Sequence, residues 1–506
     1  MSQSKQIQPE EKMTRFMDWV ENNRSLALML LFLFSVVVRI MTLEYLDLGG
    51  DNAERWMQAH RIAEGLGVTH WYNHSMRWVI VLPLAGLIKL FGPHPAVSAI
   101  LPILFSSIGA VFIYLIGERL QGPRLGLSSA LLTVLLPLMA RSGSQLWPGV
   151  FEMAYIAIMV WLILCWIETR STSTLVLAGI VFFLGWGARV TMIYSYPGAV
   201  MLIWLPTRNF RAVLIFTAVA AGLCFAEWGW FWWDSGNPKG RLGLLFASSY
   251  GNQNDLFIPL KKYLMQFSDL IKIKGLLPVA ILTFGAGLFA FREKDKRLWG
   301  IAALYFIGVF LMLYMVSSIL PIKLAMPFGS RKWPIYSPYG ILLLMWFLLK
   351  LKDRRPRIGV ALISILFAAF TIFSIMKIPP TNTLIQVSRD YAILKPTLDA
   401  DQPIRMVYEP WQPNFIEKVL IEVFTGEKKR RNRKDKEINL DMRRNQQRIA
   451  SLFLSDVNRF KEYHDRPLVR VDKYVYILPS TNGNAEQPAA ESVFGTRNHA
   501  AYPITR

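Results

Sequence analysis

Long apolar runs separated by short polar turns make up the first three quarters of the chain. A membrane-crossing helix needs about 20 mostly apolar residues. Runs near that length lie at 26–43, 96–117, 125–140, 149–167, 173–188, 190–207, 212–230, 275–291, 298–320, 335–351 and 358–377. They predict a polytopic α-helical membrane protein with about eleven transmembrane helices. The stretch 78–92, "WVIVLPLAGLIKLFG", is shorter, holds Pro83 and Lys89, and runs into Gly-Pro. It reads as interfacial or re-entrant rather than spanning.

Charge supports that choice. With 78–92 not crossing and the N-terminus cytoplasmic, the cytoplasmic loops hold Arg119 and Arg124, Arg170, Arg208 and Arg211, "REKDKR" at 292–297 and "KDRRPR" at 352–357. The short outer loops carry chiefly Arg141, Arg189, Lys323, Arg331 and Lys332. This obeys the positive-inside rule, whereas counting 78–92 as a span would put the two most basic short loops outside. Residues 1–377 then form the transmembrane domain, with two long outer loops, 44–94 and 231–274. Residues 378–506 are expected to be a small α+β domain outside the cytoplasm. There "PIRMVYEP" and "LVRVDKYVYILP" read as strands, and "INLDMRRNQQRIASLFLSDVNRF" as an amphipathic helix. The run "EKKRRNRK" at 427–434 reads as a solvated loop, with anionic lipid headgroups or a phosphorylated ligand as alternatives.

Composition narrows the class. The 506 residues are 53% hydrophobic with a mean hydropathy of +0.31, which excludes an ordinary soluble globular protein and a disordered one. The net charge of +21 fits membrane topology and anionic lipid contact better than nucleic acid, because the basic residues gather in short loops. Cys165 and Cys224 both sit in apolar runs, so no disulfide framework or cysteine metal site is expected. The polar first 24 residues do not resemble a cleaved signal peptide, so the first apolar run is expected to stay as an anchor. A bacterial inner (plasma) membrane is the expected location.

Polar chemistry collects at the outer ends of the runs. "YLDLGGDNAERWMQAH" at 45–60 supplies Asp51, Glu54 and Arg55, and "EGLGVTHWYNHSMRW" follows with His70, Trp71, Tyr72, His74 and Arg77. "RSGSQLWPGVFEMAY" carries Glu152, and "PFGSRKWPIYSP" carries Arg331 and Lys332. Any one of these could be an interface residue snorkelling to water. Two carboxylates and a basic pair on one membrane face instead suit a reaction that deprotonates an acceptor and holds an anionic leaving group.

Over roughly residues 26–350 the chain resembles the GT-C superfamily of integral-membrane glycosyltransferases, which use polyprenyl-phosphate-linked sugars. "RIMTLEYLDLGGDNAERW" is similar to the acidic start of that superfamily's first outer loop. "MRWVIVLPLAGLIKLFG" is similar to the segment that follows it in protein O-mannosyltransferases and lipid A aminoarabinose transferases. "GERLQGPRLGLSSALLTVLLPLMARSG" resembles the second and third spans with their basic turn. "GLGVTHWYNHSMRW" resembles a pattern of the GPI and dolichol-linked mannosyltransferases, and "SRKWPIYSPYG" a late arginine-plus-proline motif. Where those families often have an adjacent Asp-Glu pair, Asp51 here is followed by Asn52, and the next acid is Glu54.

The resemblance implies transfer of a sugar from a polyprenyl-phosphate donor to a hydroxyl of a glycan, glycolipid or protein at the outer face, with inversion. Asp51 would be the base, and Glu152 would orient the acceptor or share a divalent cation with Asp51. Arg331, Lys332 and Arg77 would hold the phosphate. His70 and His74 are assigned to hydrogen bonding of sugar or phosphate rather than to a metal, and Trp71 and Tyr72 to stacking on a sugar face. Glu54 is a weaker substrate-binding candidate, since it can instead cap or pair with Arg55. The rival class is a polytopic transporter or flippase, which would show repeated halves and charges near the membrane midplane.

Overall fold

A computed structural model describes residues 15, 18–43, 51–65, 76–92, 95–236, 241, 276–313, 316–319, 322–324, 330–376, 404–408, 449–453, 469–472 and 475–478. Helices occupy the apolar runs and the amphipathic stretch after the first of them: α1 (Arg24–Met41), α2 (Asp51–Ala63), α3 (Trp78–Phe91), α4 (Ile100–Gln121), α5 (Pro123–Val134), α6 (Pro137–Ser142) and α7 (Pro148–Thr169). They continue as α8 (Thr172–Ala188), α9 (Tyr196–Thr207), α10 (Phe210–Ser235), α11 (Leu276–Ala290), α12 (Lys296–Leu313), α13 (Ser337–Arg354) and α14 (Pro356–Ile375). Among the described residues five segments are long and apolar enough to cross a membrane: 24–41, 96–121, 148–169, 210–234 and 356–375.

The chain divides into two compact units. One holds residues 1–44, 68–84 and 98–380, the other 45–67, 85–97 and 381–506. In the first unit α7 is the central helix, with 83% of its apolar window buried, against 22% for α1, α10 and α14. The outer helices therefore turn apolar faces outward, as lipid contact requires, while α7 is enclosed by protein.

Ion pairs fix which helix ends meet. Arg24 at the start of α1 lies 2.6 Å from Glu118 at the end of α4. Arg119 pairs with Glu168 at the end of α7, and Arg297 at the start of α12 reaches Glu168 at 3.7 Å. Lys350 near the end of α13 pairs with Glu293, just beyond α11. Hence α1 and α4 run antiparallel, and the chain joining them leaves and re-enters at the same end of the bundle. That is what a non-crossing 78–92 segment requires. At 14 residues, α3 is about 21 Å long, short of a hydrocarbon core of about 30 Å.

Local chemistry sets the turns. Gly122 has φ 92°, a left-handed conformation costly for a residue with a side chain, and Pro123 opens α5 directly after it. The α4–α5 contact is backbone to backbone: a Cβ on Gly117 would lie 2.7 Å from Gly126 Cα. Arg170 and Arg208 close α7 and α9 with φ of 56° and 52°. Each lays its guanidinium over the tryptophan one turn back, 5.2 Å from Trp166 and 5.8 Å from Trp204.

Four details depart from the sequence reading, one being that the run 190–207 is α-helical only from Tyr196, after a 3-10 turn over Val190–Ser195. The run 125–140 is not one helix. It breaks at Leu135–Leu136 because Pro137 has no N–H and disfavours helical geometry before it. Side chains serve the freed carbonyls: Arg39 Nη1 donates to Val134 O at 2.9 Å and Ser374 Oγ to Leu135 O at 2.7 Å. In the run 298–320 the described helix ends at Leu313. Beyond it β1 (Val316–Ile319) pairs antiparallel with β2 (Ile322–Leu324), where a serine pair, β-branched residues and Pro321 oppose a helix. Finally "IASLF" is a strand, not part of an amphipathic helix. It is β4 (Ile449–Phe453), paired parallel and in register with β3 (Ile404–Tyr408), a partner distant in sequence. With β5 (Val469–Asp472) and β6 (Val475–Leu478) these form a four-stranded sheet of order β4-β3-β6-β5. The "EKKRRNRK" run lies outside the described residues.

Candidate active site

Pro148 opens α7 and Trp147 precedes it in extended conformation, so Glu152 falls just past the first turn, on the helix most enclosed by protein. Its side chain is fully buried. An ionised carboxylate costs several kcal/mol to bury unless partners replace its water. Thr191 Oγ1 lies 2.8 and 2.9 Å from the two carboxylate oxygens. Arg189 Nη1 approaches Oε2 at 3.4 Å.

The positions of those partners follow from how α8 ends. Arg189 is its C-cap, with extended backbone, and the chain then enters a 3-10 turn over Val190–Ser195 that carries Thr191. The Arg189 guanidinium also lies 5.7 Å from the Trp147 ring centroid, which holds it against α7. Arg77, immediately before α3, adds a second positive charge that acts on Glu152.

Tyr336 completes the group. It caps α13 at its N-terminal end, is buried, and interacts electrostatically with both Glu152 and Arg189. Its hydroxyl has no hydrogen-bond partner among the described residues. Gly308 on α12 makes room for the ring, since a Cβ there would lie 2.2 Å from Tyr336 Cε1. The start of α7, the end of α8 and the start of α13 are the ends opposite the Arg24–Glu118, Arg119–Glu168 and Arg297–Glu168 ion pairs. The site is thus a fixed carboxylate with two cations and a hydroxyl at one end of the bundle.

Of the sequence-predicted residues, Arg77 lies near enough to Glu152 for its charge to act on the carboxylate. Arg331 and Lys332 lie in a 3-10 helix, Ser330–Ile335, that packs on α6 and α7 at this same end. Their side chains lie outside the described atoms, as do those of Asp51, which opens α2, and Glu54, one turn on. Arg55 is buried and donates to Asn52 Oδ1 at 2.9 Å. His70, Trp71, Tyr72 and His74 lie outside the described residues. Among the described residues no group of three or more His, Cys, Asp or Glu could hold a metal ion.

Sequence reasoning missed Thr191 and Tyr336 and read Arg189 only as a loop charge. It also missed a second buried carboxylate, Glu227. Its Oε1 accepts from Trp78 Nε1 at 2.5 Å and Arg241 Nη1 at 2.9 Å, and its Oε2 from Trp186 Nε1 at 2.5 Å. Arg241 also donates to the carbonyls of Trp186 and Gly187, both at 3.0 Å. Burial pulls the Arg241 guanidinium below its ordinary value, and the Glu227 charge beside it opposes that. A lone acid in the apolar run "CFAEWGW" was the available signal.

Residues 77–232 match the dolichyl-phosphate-mannose-protein mannosyltransferase family. No curated protein matches the chain. Among solved structures, ArnT from Cupriavidus metallidurans in the apo state aligns at 12% identity and a TM-score of 0.51, covering 90% of this chain and 98% of ArnT. ArnT bound to undecaprenyl phosphate gives 10% identity and 0.51, covering 89% and 97%. The oligosaccharyltransferase AglB from Archaeoglobus fulgidus, in complex with an inhibitory peptide and a dolichol-phosphate, gives 11% identity and 0.45. That alignment covers 83% of this chain but 61% of AglB, so the chain spans about three fifths of the archaeal enzyme's length. Residues 77–232 are thus similar to the dolichyl-phosphate-mannose-protein mannosyltransferase family, and the chain shares the fold of ArnT.

Proposed function

We propose that the chain is an inverting glycosyltransferase that moves a sugar from a polyprenyl-phosphate donor to an acceptor hydroxyl on the outer face of the membrane. The observation that carries this reading is the Glu152 site. A buried carboxylate lies 3.4 Å from Arg189 and within electrostatic reach of Arg77 and Tyr336 at one bundle end, largely within the family-matched residues. ArnT has been captured with undecaprenyl phosphate, and a donor of that lipid class suits the cations gathered here.

In this reading Asp51 takes the proton of the acceptor hydroxyl as its oxygen attacks the anomeric carbon. The bond to the phosphate oxygen breaks on the opposite side, which inverts the anomeric centre. The departing lipid phosphate is already a stable anion, so it needs cations more than an acid, and Arg77, Arg331 and Lys332 supply them. Glu152, held by Thr191 and Arg189, is assigned to orienting the acceptor or sharing a divalent cation with Asp51 through its remaining lone pairs. His70, His74, Trp71 and Tyr72 belong to the sugar site, and α3 forms a wall of the lipid groove. The topology that goes with this chemistry has about eleven crossings, a cytoplasmic N-terminus and an extracytoplasmic α+β domain at 378–506. It sits in the inner membrane among anionic lipids. The GT-C fold leaves the transporter alternative with less support.

The test is transfer of radiolabelled sugar from a panel of polyprenyl-phosphate sugars to membrane extracts by purified protein. Wild type should transfer from at least one donor, and Asp51→Asn should abolish transfer while undecaprenyl phosphate still binds. Equal activity of Asp51→Asn and wild type would remove the base assignment.

A further inference from the structure

The Glu227 cluster lies outside the chemistry just described, yet it is built with more hydrogen bonds than the Glu152 site. Three donors converge on its carboxylate from separate parts of the chain: Trp78 at the start of α3, Trp186 near the end of α8, and Arg241 beyond α10. Both charged partners are 3% exposed. Such a buried pair adds little net stability compared with apolar packing, so its use lies in what it holds in place.

What it holds is the residue next to Arg77. The N–H groups of Ile80 and Val81 donate to Arg77 O at 2.8 and 3.0 Å, so Arg77 caps the first turn of α3. Trp78, in that turn, is fixed on two sides. Its indole N–H is held by Glu227, and its ring rests where a Cβ on Gly187 would lie 2.8 Å away. A shift of this first turn away from Glu227 would carry Arg77 with it and change the field at Glu152.

The geometry points to Glu227 as a positioning residue that, through the Trp78 indole, sets where Arg77 presents its charge to the donor phosphate. This rests on the reading of Arg77 as a phosphate-holding residue, and it adds a specific mechanical link. The carboxylate need not touch the substrate. It acts by denying the start of α3 any other orientation.

The test has two arms, both on the full-length protein in lipid nanodiscs. In the first, undecaprenyl phosphate binding is measured for wild type, Glu227→Gln, Trp78→Phe, Arg77→Ala and the double variants with Arg77→Ala. Trp78→Phe removes the indole N–H while keeping an aromatic ring, though a smaller one, and leaves both charges of the Glu227–Arg241 pair in place, so it guards against misfolding of Glu227→Gln. Each single clamp variant should weaken binding about tenfold, the scale of one hydrogen bond to a charged group. Neither should weaken it further once Arg77 is gone, the signature of action through that residue. Losses that add to that of Arg77→Ala would overturn the proposal.

In the second arm, position 77 is probed directly with Arg77→Cys in a Cys165→Ala, Cys224→Ala background. Alkylation at 77 should quicken severalfold with Trp78→Phe, and an unchanged rate would overturn the proposal. If Arg77→Ala leaves undecaprenyl phosphate binding intact, the phosphate role of Arg77 fails, and the alkylation arm still decides the positioning role.

Discussion

Thr191 Oγ1 sits between the two oxygens of Glu152, 2.8 Å from one and 2.9 Å from the other, and both residues are buried. One hydroxyl hydrogen shared by two oxygens keeps the carboxylate in one plane and leaves its remaining acceptor capacity to Arg189. Thr191→Val keeps the shape and removes the donor. It should cost about 1–3 kcal/mol of stability and slow sugar transfer about 10- to 100-fold. Thr191→Ser should restore most of both. Thermal unfolding in nanodiscs and single-turnover transfer are the measurements.

Glu152 and Arg189 should behave as a unit. Removing the acid as Glu152→Ala leaves Arg189, whose side chain is 14% exposed, without its counter-charge, a loss of about 1.5–3 kcal/mol. Adding Arg189→Leu should recover part of that stability without recovering transfer. A double-mutant cycle on the midpoint of unfolding, with transfer measured alongside, separates the structural role from the chemical one.

The α4–α5 contact offers a prediction remote from the site. A Cβ on Gly126 would lie 2.5 Å from Tyr114 O, a backbone atom that cannot swing aside. Gly126→Val should therefore destabilise the bundle by at least about 1–3 kcal/mol. Sugar transfer per folded molecule should stay near wild type.

Opposite ends of the bundle should face opposite aqueous compartments. Ser173, at the Glu168 end, and Asp234, at the far end of α10, are both exposed. In a background of Cys165→Ala and Cys224→Ala, Ser173→Cys should react with a membrane-impermeant maleimide only from the cytoplasmic side. Asp234→Cys should react only from the outside. The reverse pattern would invert the assigned topology.

Much of the bundle was legible because membrane helices announce themselves through length and apolarity. Glu152 stood out as an acid at the head of such a run, and Arg77 as a cation at the head of another. Thr191 did not, since a threonine after a helix carries no sign that its hydroxyl will meet a carboxylate 39 residues earlier. Tyr336 was hidden in the same way, inside the quoted "SRKWPIYSPYG" motif but chosen by packing against Gly308 rather than by pattern. The break at Leu135–Leu136 was foreseeable from Pro137, yet hydrophobicity alone ran straight through it. The strand at 449–453 was misread because a parallel partner 45 residues away overrode the local helical period.

That break also sets a clock. The carbonyl of Leu135 finds its partner in Ser374, 239 residues further along the chain. At about 5–20 residues per second of synthesis, the interval between making one and the other is on the order of 10–50 s. Through that interval the opened turn lacks its Ser374 cover, and only Arg39 and the other early helices are present to shield it. Helix α14 therefore arrives as a closing piece, and a ribosome stalled before it would leave the nascent bundle with a polar seam open to whatever insertion machinery still surrounds it.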